Sequence, residues 1–402
     1  MSQSREEQLF LACFRGDLSL VDSLCSDQSA IKVNWRHPRG QFTSLFAACQ
    51  NGHAEVVRRL LAVPKIDPNL MASQDVTPFF IACQENKVEA VRAMLESSRV
   101  DVNSSQRDNV SPFFAACRRG NVAVIEALLR EPRVRVNQAR GDGATPLLMA
   151  CSKERLEPRD VQVIRMLLDD TRIDVTLADN RGCTPFFFAC QNGSVEVVEL
   201  LLAHEKMRVM VETRFARELG LPAQDYPLNA VTATRTSPFL VACERGRAKV
   251  VELLLREPKI DFELEGEGEI TPLWMTAQHG HLLVAQLILA ETIISDPTKK
   301  SNVGKEKWRD KSPVEQGRRQ PEIPRGTNEA EEEFDLRTEN GPKIATLLED
   351  YEKNRGETRA YLRRTLQLTG SLRFKALLSF AGAFSPSPLS FLAGRFLAAG
   401  IL

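Results

Sequence analysis

The chain has 402 residues, with 53 Lys and Arg against 53 Asp and Glu, so its formal net charge at pH 7 is zero. Apolar residues at 43% and charged residues at 26% are ordinary for a soluble folded protein, and balanced charge argues against a general binder of nucleic acid or anionic membrane, which needs a basic surface. Met1 to Gln8 is polar and lacks the apolar core of a secretory signal; together with nine cysteines, an odd number, this points to reduced thiols in a cytosolic or nuclear compartment.

A repeating unit dominates the chain. It opens with a copy that runs from Gln8 through Cys13 and Gly16 to Leu24, and residues 1–34 read as an N-terminal capping repeat. Then Thr-Pro-Phe-Phe-x-Ala-Cys and its variants recur as Thr43–Cys49, Thr77–Cys83, Ser111–Cys117, Thr145–Cys151, Thr184–Cys190, Ser237–Cys243 and Thr271–Ala277. Their starts are 34, 34, 34, 39, 53 and 34 residues apart, which places a regular array over 35–296 with two insertions. The shorter insertion lies near Ser152–Asp160, where Glu157-Pro158-Arg159-Asp160 reads as a loop leading into the following helix. The longer one is assigned to about 211–235, with a short helix expected over Arg214–Leu219. A long loop of this kind is usually functional or disordered.

Each copy continues alike: two polar residues, usually a Gly, an apolar pair such as Val56-Val57, then Leu60-Leu61. Apolar residues at spacings of three and four mark an amphipathic helix. Thr or Ser ahead of Pro marks a helix start, the hydroxyl capping the first turn and Pro occupying its first position. Each unit is therefore two short antiparallel helices followed by an extended segment that ends in Asn, as at Asn69, Asn103 and Asn137.

These residues resemble the ankyrin repeat, whose signature reads Thr-Pro-Leu-His-x-Ala-Ala-x-x-Gly, over roughly residues 8–296. The resemblance implies an all-α ankyrin-repeat solenoid: stacked helix-turn-helix units joined by short β-hairpins, about eight repeats plus a split degenerate C-terminal one. It implies a non-catalytic scaffold or adaptor, monomeric and without a cofactor, that binds another protein through hairpin tips and the two polar residues after the Ala-Ala pair, on the concave side. Carried over by position, those pairs are Gln50-Asn51, Gln84-Glu85, Arg118-Arg119, Ser152-Lys153, Gln191-Asn192, Glu244-Arg245 and Gln278-His279, and the tips carry Arg39, Arg107, Arg140, Arg181 and Arg235. The framework positions repeat and these vary, as a recognition surface would; ordinary solvated positions are the alternative. The expected partner-binding set is Arg107, Arg118, Arg119, Arg140, Gln84, Glu85, Gln191, Asn192, Glu244 and Arg245. Within it the four arginines suit an acidic segment, because a planar guanidinium can grip a carboxylate with two hydrogen bonds.

The sequence departs from the family in three ways. The family His is replaced by Phe46, Phe80, Phe114, Leu148, Phe187, Leu240 and Trp274, expected to form an inter-repeat core. The period of 34 exceeds the usual of about 33, and the Gly that ends the outer helix is missing, so a longer connection with Pro64, Pro132 or Pro258 is expected to end it. Cysteine recurs at Cys13, Cys49, Cys83, Cys117, Cys151, Cys190 and Cys243. Equivalent points on stacked helices lie about 8–10 Å apart, beyond the reach of about 7 Å for a disulfide or the convergence zinc needs. Buried, non-metallated thiols are expected.

After Leu289 the pattern decays. Residues 297–350 hold a charged insert, basic over Lys299–Arg325 and acidic over Glu329–Glu333, and a degenerate capping repeat. In that repeat Ser312–Gly317 keeps the inner-helix frame and Ile344–Glu349 the outer-helix frame. Residues 351–402 are read as a helix, Arg359–Leu368, and an apolar tail. The uncharged run Ala376–Gly394 is near the length that spans a bilayer, so a membrane-tethered adaptor is the alternative function, opposed by Ser385-Pro386-Ser387-Pro388 in its middle. No phosphate-binding Gly loop, His-Glu-x-x-His, nucleophile elbow or paired-Cys zinc motif is present. His279 and His281 read as exposed polar residues. No metal, cofactor or enzymatic activity is expected, and the partner is a protein, not a nucleic acid or a membrane.

Overall fold

The structure, a computed structural model, describes residues 4–26, 31–204, 207, 227–257, 260–291 and 331–366. Among these, all regular structure is helical, and extended backbone pairs only at the isolated bridges Arg36–Thr43 and Gln106–Val110. The expected β-hairpins are therefore tight turns. Ala72 donates to the Val76 carbonyl, Gln106 to Val110, Arg140 to Ala144 and Asp179 to Cys183. One or two such backbone bonds close a tip, Gly143 adding a bond to Arg140 and Gly182 one to Asp179, and the arms are too short to build a ladder. The described chain divides into two compact units, Met1–Pro185 with Leu200–Lys206, and Phe186–Glu199 with Met207–Leu402.

In the first unit the inner helices are α1 (Arg5–Arg15), α3 (Ser44–Asn51), α5 (Pro78–Gln84), α7 (Pro112–Arg119) and α9 (Pro146–Cys151), each packed on the next. The outer helices α2 (Leu18–Ser26), α4 (Ala54–Leu61), α6 (Val88–Leu95), α8 (Val122–Leu129) and α10 (Pro158–Leu168) pack likewise. The Thr-Pro frame acts as the sequence implies. Thr43, Thr77, Ser111 and Thr145 accept the N–H of Phe46, Phe80, Phe114 and Leu148 at 3.1–3.2 Å, and Pro78, Pro112 and Pro146 stand in the first turn, where a missing N–H costs nothing. The residues that replace the family His are core: Phe46, Phe80, Phe114 and Leu148 are at most 3% exposed.

Of the remaining helices, α11 (Pro185–Asn192) belongs to the second unit from Phe186 on, α12 (Val195–Ala203) is divided between the units at Glu199, and the second unit further holds α13 (Pro238–Glu244), α14 (Ala248–Arg256), α15 (Pro272–His279) and α16 (Leu282–Glu291). Ser237 and Thr271 cap α13 and α15 through the N–H of Leu240 and Trp274. The assigned insertion proves shorter at its C-terminal end. Leu228 and Asn229 are already buried, and Asn229 accepts the Asp261 N–H at 2.9 Å, as Asn103 accepts that of Arg135 in the first unit. Regular repeat therefore resumes by Pro227. The C-terminal end is built differently from the expected frame. Ile344–Glu349 lies inside one long helix, α17 (Glu331–Lys353), packed against both α15 and α16, and it is α18 (Arg355–Thr365) that lies on the outer helix α16 and on α17. Ile344, Ala345, Leu348, Tyr351 and Leu362 are buried there and cover the array's end. The segments Arg214–Leu219, Ser312–Gly317 and Ala376–Gly394 lie outside the described residues. Among those described, no helix is long and apolar enough to cross a membrane.

Candidate functional site

At the end of each inner helix, burial stops abruptly. Ala115, Ala116 and Cys117 are at most 1% exposed, whereas Arg118 and Arg119 are exposed. Gly120, at φ 71°, then adopts the left-handed cap that turns the chain into α8. The residue after this turn reaches back to the preceding repeat. Asn121 donates to the carbonyls of Cys83 and Gln84 at 2.9 and 3.0 Å, His53 Nε2 lies 3.1 Å from the Phe14 carbonyl, and in the second unit Arg247 Nε donates to Gln191 at 2.9 Å. His281 belongs to this set: its Nε2 lies 2.8 Å from the Glu244 carbonyl and it is half-buried, which corrects its reading as a solvated residue. The variable pairs Gln84-Glu85, Gln191-Asn192 and Glu244-Arg245 are thus held at the backbone by the next repeat.

The tips that lead into these inner helices are braced too. Gln74 and Asp75 have φ 69° and 62°, and Asp108 and Asn109 have φ 61° and 59°. Two successive left-handed residues make the turn that best joins antiparallel arms, though without Gly each costs about 1–3 kcal/mol. Contacts between neighbouring tips offset this. Ser73 donates to the Gly40 carbonyl at 3.0 Å, Gly141 to Asp108 at 2.6 Å, Asn109 Nδ2 to Ala139 at 2.6 Å and Asn180 to Asp142 at 2.9 Å.

On this frame the four arginines singled out by sequence are not equivalent. Arg118 has no ion pair among the described residues. Arg119 sits 3.7 Å from Glu85, which also accepts from Gln84 Nε2, and Arg107, 74% exposed, sits 3.7 Å from Asp75. Arg140 is committed: its Nε and Nη2 engage Asp142, and its guanidinium lies 5.7 Å from the centre of the Phe114 ring. The Arg140 hydrogen bond holds the Asp142 pKa down at about 2. Arg181 likewise grips Asp179 through two nitrogens. Gln191, Asn192, Glu244 and Arg245 occupy the equivalent places in the second unit.

Two ladders have roles that the sequence reading did not assign, one at the recurrent Asn and one at an unremarked Arg. Asn34, Asn69, Asn103 and Asn137 each donate to a carbonyl of the next repeat, at Lys65, Arg99, Arg133 and Arg172, and accept an N–H from Asp67, Asp101, Arg135 and Asp174, all at 2.7–3.0 Å. Arg99, Arg133 and Arg172 replace the missing C-terminal Gly. Arg133 donates to Leu95 and Ser97 at 3.0 and 3.2 Å, Arg172 to Leu129 and Glu131 at 2.6 and 3.2 Å, and Arg99 to Leu61 and Ile66. A cation on the orphan carbonyls of a helix end also opposes the negative end of its dipole. Glu131 and Asp170 orient Arg133 and Arg172 from two residues upstream.

All nine cysteines are buried and unbonded to one another. Burial pushes the thiols up, Cys151 to about 12 and Cys183 to about 11. Native protein at pH 8 is therefore expected to react negligibly with a thiol reagent, the shallower Cys25 and Cys183 first, and to release all nine on unfolding. Fast labelling of several ladder thiols in the native state would contradict this burial. No group of three or more His, Cys, Asp or Glu among the described residues could hold a metal ion.

Helical pairs stacked at a fixed period, capped by Thr-Pro and joined through tight tips, define a helical repeat solenoid. The sequence matches the family described as ankyrin repeats (3 copies) over residues 9–108, 65–139 and 113–213, and the chain belongs to the ankyrin repeat family, a protein-interaction fold. Among solved structures it is similar to the ankyrin repeat protein EF0377, with 22% identity, 50% of this chain and 100% of that chain covered, and a TM-score of 0.46. It is also similar to an ankyrin repeat domain from Acinetobacter baumannii AYE, with 24% identity, 49% and 96% covered, and a TM-score of 0.45. No curated protein matches the chain.

Proposed function

We propose that this chain is a non-catalytic scaffold or adaptor of the cytosol or nucleus, which binds a protein with an acidic segment through inner-helix ends and tips, centred on repeats three and four of the first unit. The observation that supports this reading is Arg118. It stands exposed, without an ion pair among the described residues, at the end of an inner helix whose preceding Ala116 and Cys117 are buried, at a repeat position where residue type varies. A scaffold needs this combination, since a rigid frame lowers the ordering cost of binding. The test is Arg118→Glu. It is expected to lose the proteins that the wild-type chain retains from cell extract, with stability changed by no more than about 0.5 kcal/mol, as for an exposed substitution. Unchanged retention of the same proteins would overturn the assignment. Arg119→Glu is a poorer choice, because it would face Glu85.

A further inference from the structure

We infer that this surface takes a carboxylate-bearing protein segment by exchange with two of the chain's own carboxylates, Asp75 and Glu85. The inference rests on the proposed binding role of the inner-helix ends. Its basis is the looseness of two ion pairs. Arg107–Asp75 and Arg119–Glu85 are both 3.7 Å apart, well beyond the 2.7–2.9 Å of a charge-assisted hydrogen bond. Both are exposed, at 74% and 57% for the first pair and 48% and 38% for the second, so solvent screens them and they contribute little. Other pairs in the same unit are drawn in: Arg58–Glu96 at 2.9 Å, Arg172–Asp170 at 2.7 Å and Arg181–Asp179 at 3.1 Å.

The loose pairs share repeats three and four with Arg118, the arginine of the group without an ion pair among the described residues. Arg118 adjoins Arg119 at the end of α7, and Arg107 opens the tip of the same repeat. An incoming segment that runs along α7 from its end to the tip therefore meets one guanidinium without an ion pair among the described residues and two that need only change oxygen partners. The internal carboxylates already show which ligand these arginines accept. They also select against a dense polyanion. With Asp75, Glu85 and Asp108 beside Arg107, Arg118 and Arg119, local charge is balanced, so a nucleic-acid backbone gains no net attraction, whereas a segment with Asp or Glu set among neutral residues can pair with the arginines one at a time.

Exchange has a consequence that simple attraction to a basic patch shares only in part: the internal carboxylates act as competitors, so removing them must tighten binding. The probe is a fluorescein-labelled Gly/Ser peptide with interspersed Glu, its Gln counterpart serving as control, titrated by anisotropy against the full chain. The Glu peptide alone is expected to bind. Asp75→Asn and Glu85→Gln should each tighten it about two- to fivefold, the range expected for losing an exposed pair; Arg118→Glu should abolish binding, and Arg92→Gln on the outer helix α6 should leave it unchanged. If Arg118→Glu abolishes binding while Asp75→Asn and Glu85→Gln weaken it or leave it unaltered, exchange is wrong and the binding face stands. If Arg118→Glu has no effect either, the face itself is wrong. A wild-type chain that does not distinguish Glu from Gln peptide, or that binds a phosphoserine peptide or a single-stranded oligonucleotide of equal charge at least about tenfold more tightly, overturns carboxylate recognition.

Discussion

Phe114→Ala is expected to destabilise the first unit by about 3–5 kcal/mol, the range for truncating a fully buried Phe. Phe114 is 0% exposed. It stands in α7 where the family has His, its N–H is held by Ser111 at 3.1 Å, and its ring carries the Arg140 guanidinium. Truncation therefore opens a cavity between stacked inner helices and removes the platform under a tip. Because each repeat depends on its neighbours, hydrogen exchange should quicken first in α5, α7 and α9. Equilibrium denaturation of the full chain gives the magnitude; a loss under about 1 kcal/mol, the range of surface substitutions, would place this side chain outside the core.

Lys153→Met should cost about 3 kcal/mol at neutral pH, the low end for breaking a buried pair because Lys153 is 26% exposed. Its partner Asp160 is 5% exposed and accepts from Lys153 Nζ at 2.6 Å and from the Glu157 N–H at 3.0 Å. Burial alone would raise the Asp160 pKa; the Lys153 and Glu157 hydrogen bonds outweigh it and hold the pKa below its ordinary value. The native carboxylate therefore contributes stability above an unfolded pKa of about 3.9, and this contribution is lost as pH falls through the lowered folded value. Without Lys153 the balance turns toward burial, the folded pKa rises, and the variant's penalty is relieved as pH falls. The gap between variant and wild type should narrow as pH falls through the carboxylate range toward pH 3. A gap independent of pH would show that Asp160 is not held as a charged partner.

The fold was legible because its determinants are local. A hydroxyl three residues before the N–H it accepts, a Pro in the first turn and an apolar residue on every third or fourth position need no knowledge of the rest of the chain, and the Phe, Leu and Trp that replace the family His are core as expected. The Arg ladder was not legible, because Arg99, Arg133 and Arg172 act on carbonyls of the preceding repeat, and a longer Pro-containing loop offered a nearer explanation for the helix end. The early return of the repeat after the long insertion left a readable trace: Asn229 precedes Ser237 by the same eight residues that separate Asn103 from Ser111. At the C-terminal end, Ile344–Glu349 carries an outer-helix pattern, yet a continuous α17 places it against both α15 and α16. The candidate site was legible as a set of positions but not as a set of states. That Arg119 faces Glu85 could have been read from their separation of one 34-residue period; that Arg140 is locked under Asp142 and over Phe114 depends on the tip's geometry.

The central claim is that partners engage the inner-helix ends of repeats three and four. Site-specific photo-cross-linking tests it most directly, with a benzophenone side chain at Gln84 on the inner helix α5 or at the exposed Glu89 on the outer helix α6 of the same repeat. Irradiation in cell extract should give a discrete protein adduct from position 84 that Arg118→Glu removes, and none from position 89. Adducts of equal yield from both positions, or from position 89 alone, would contradict it.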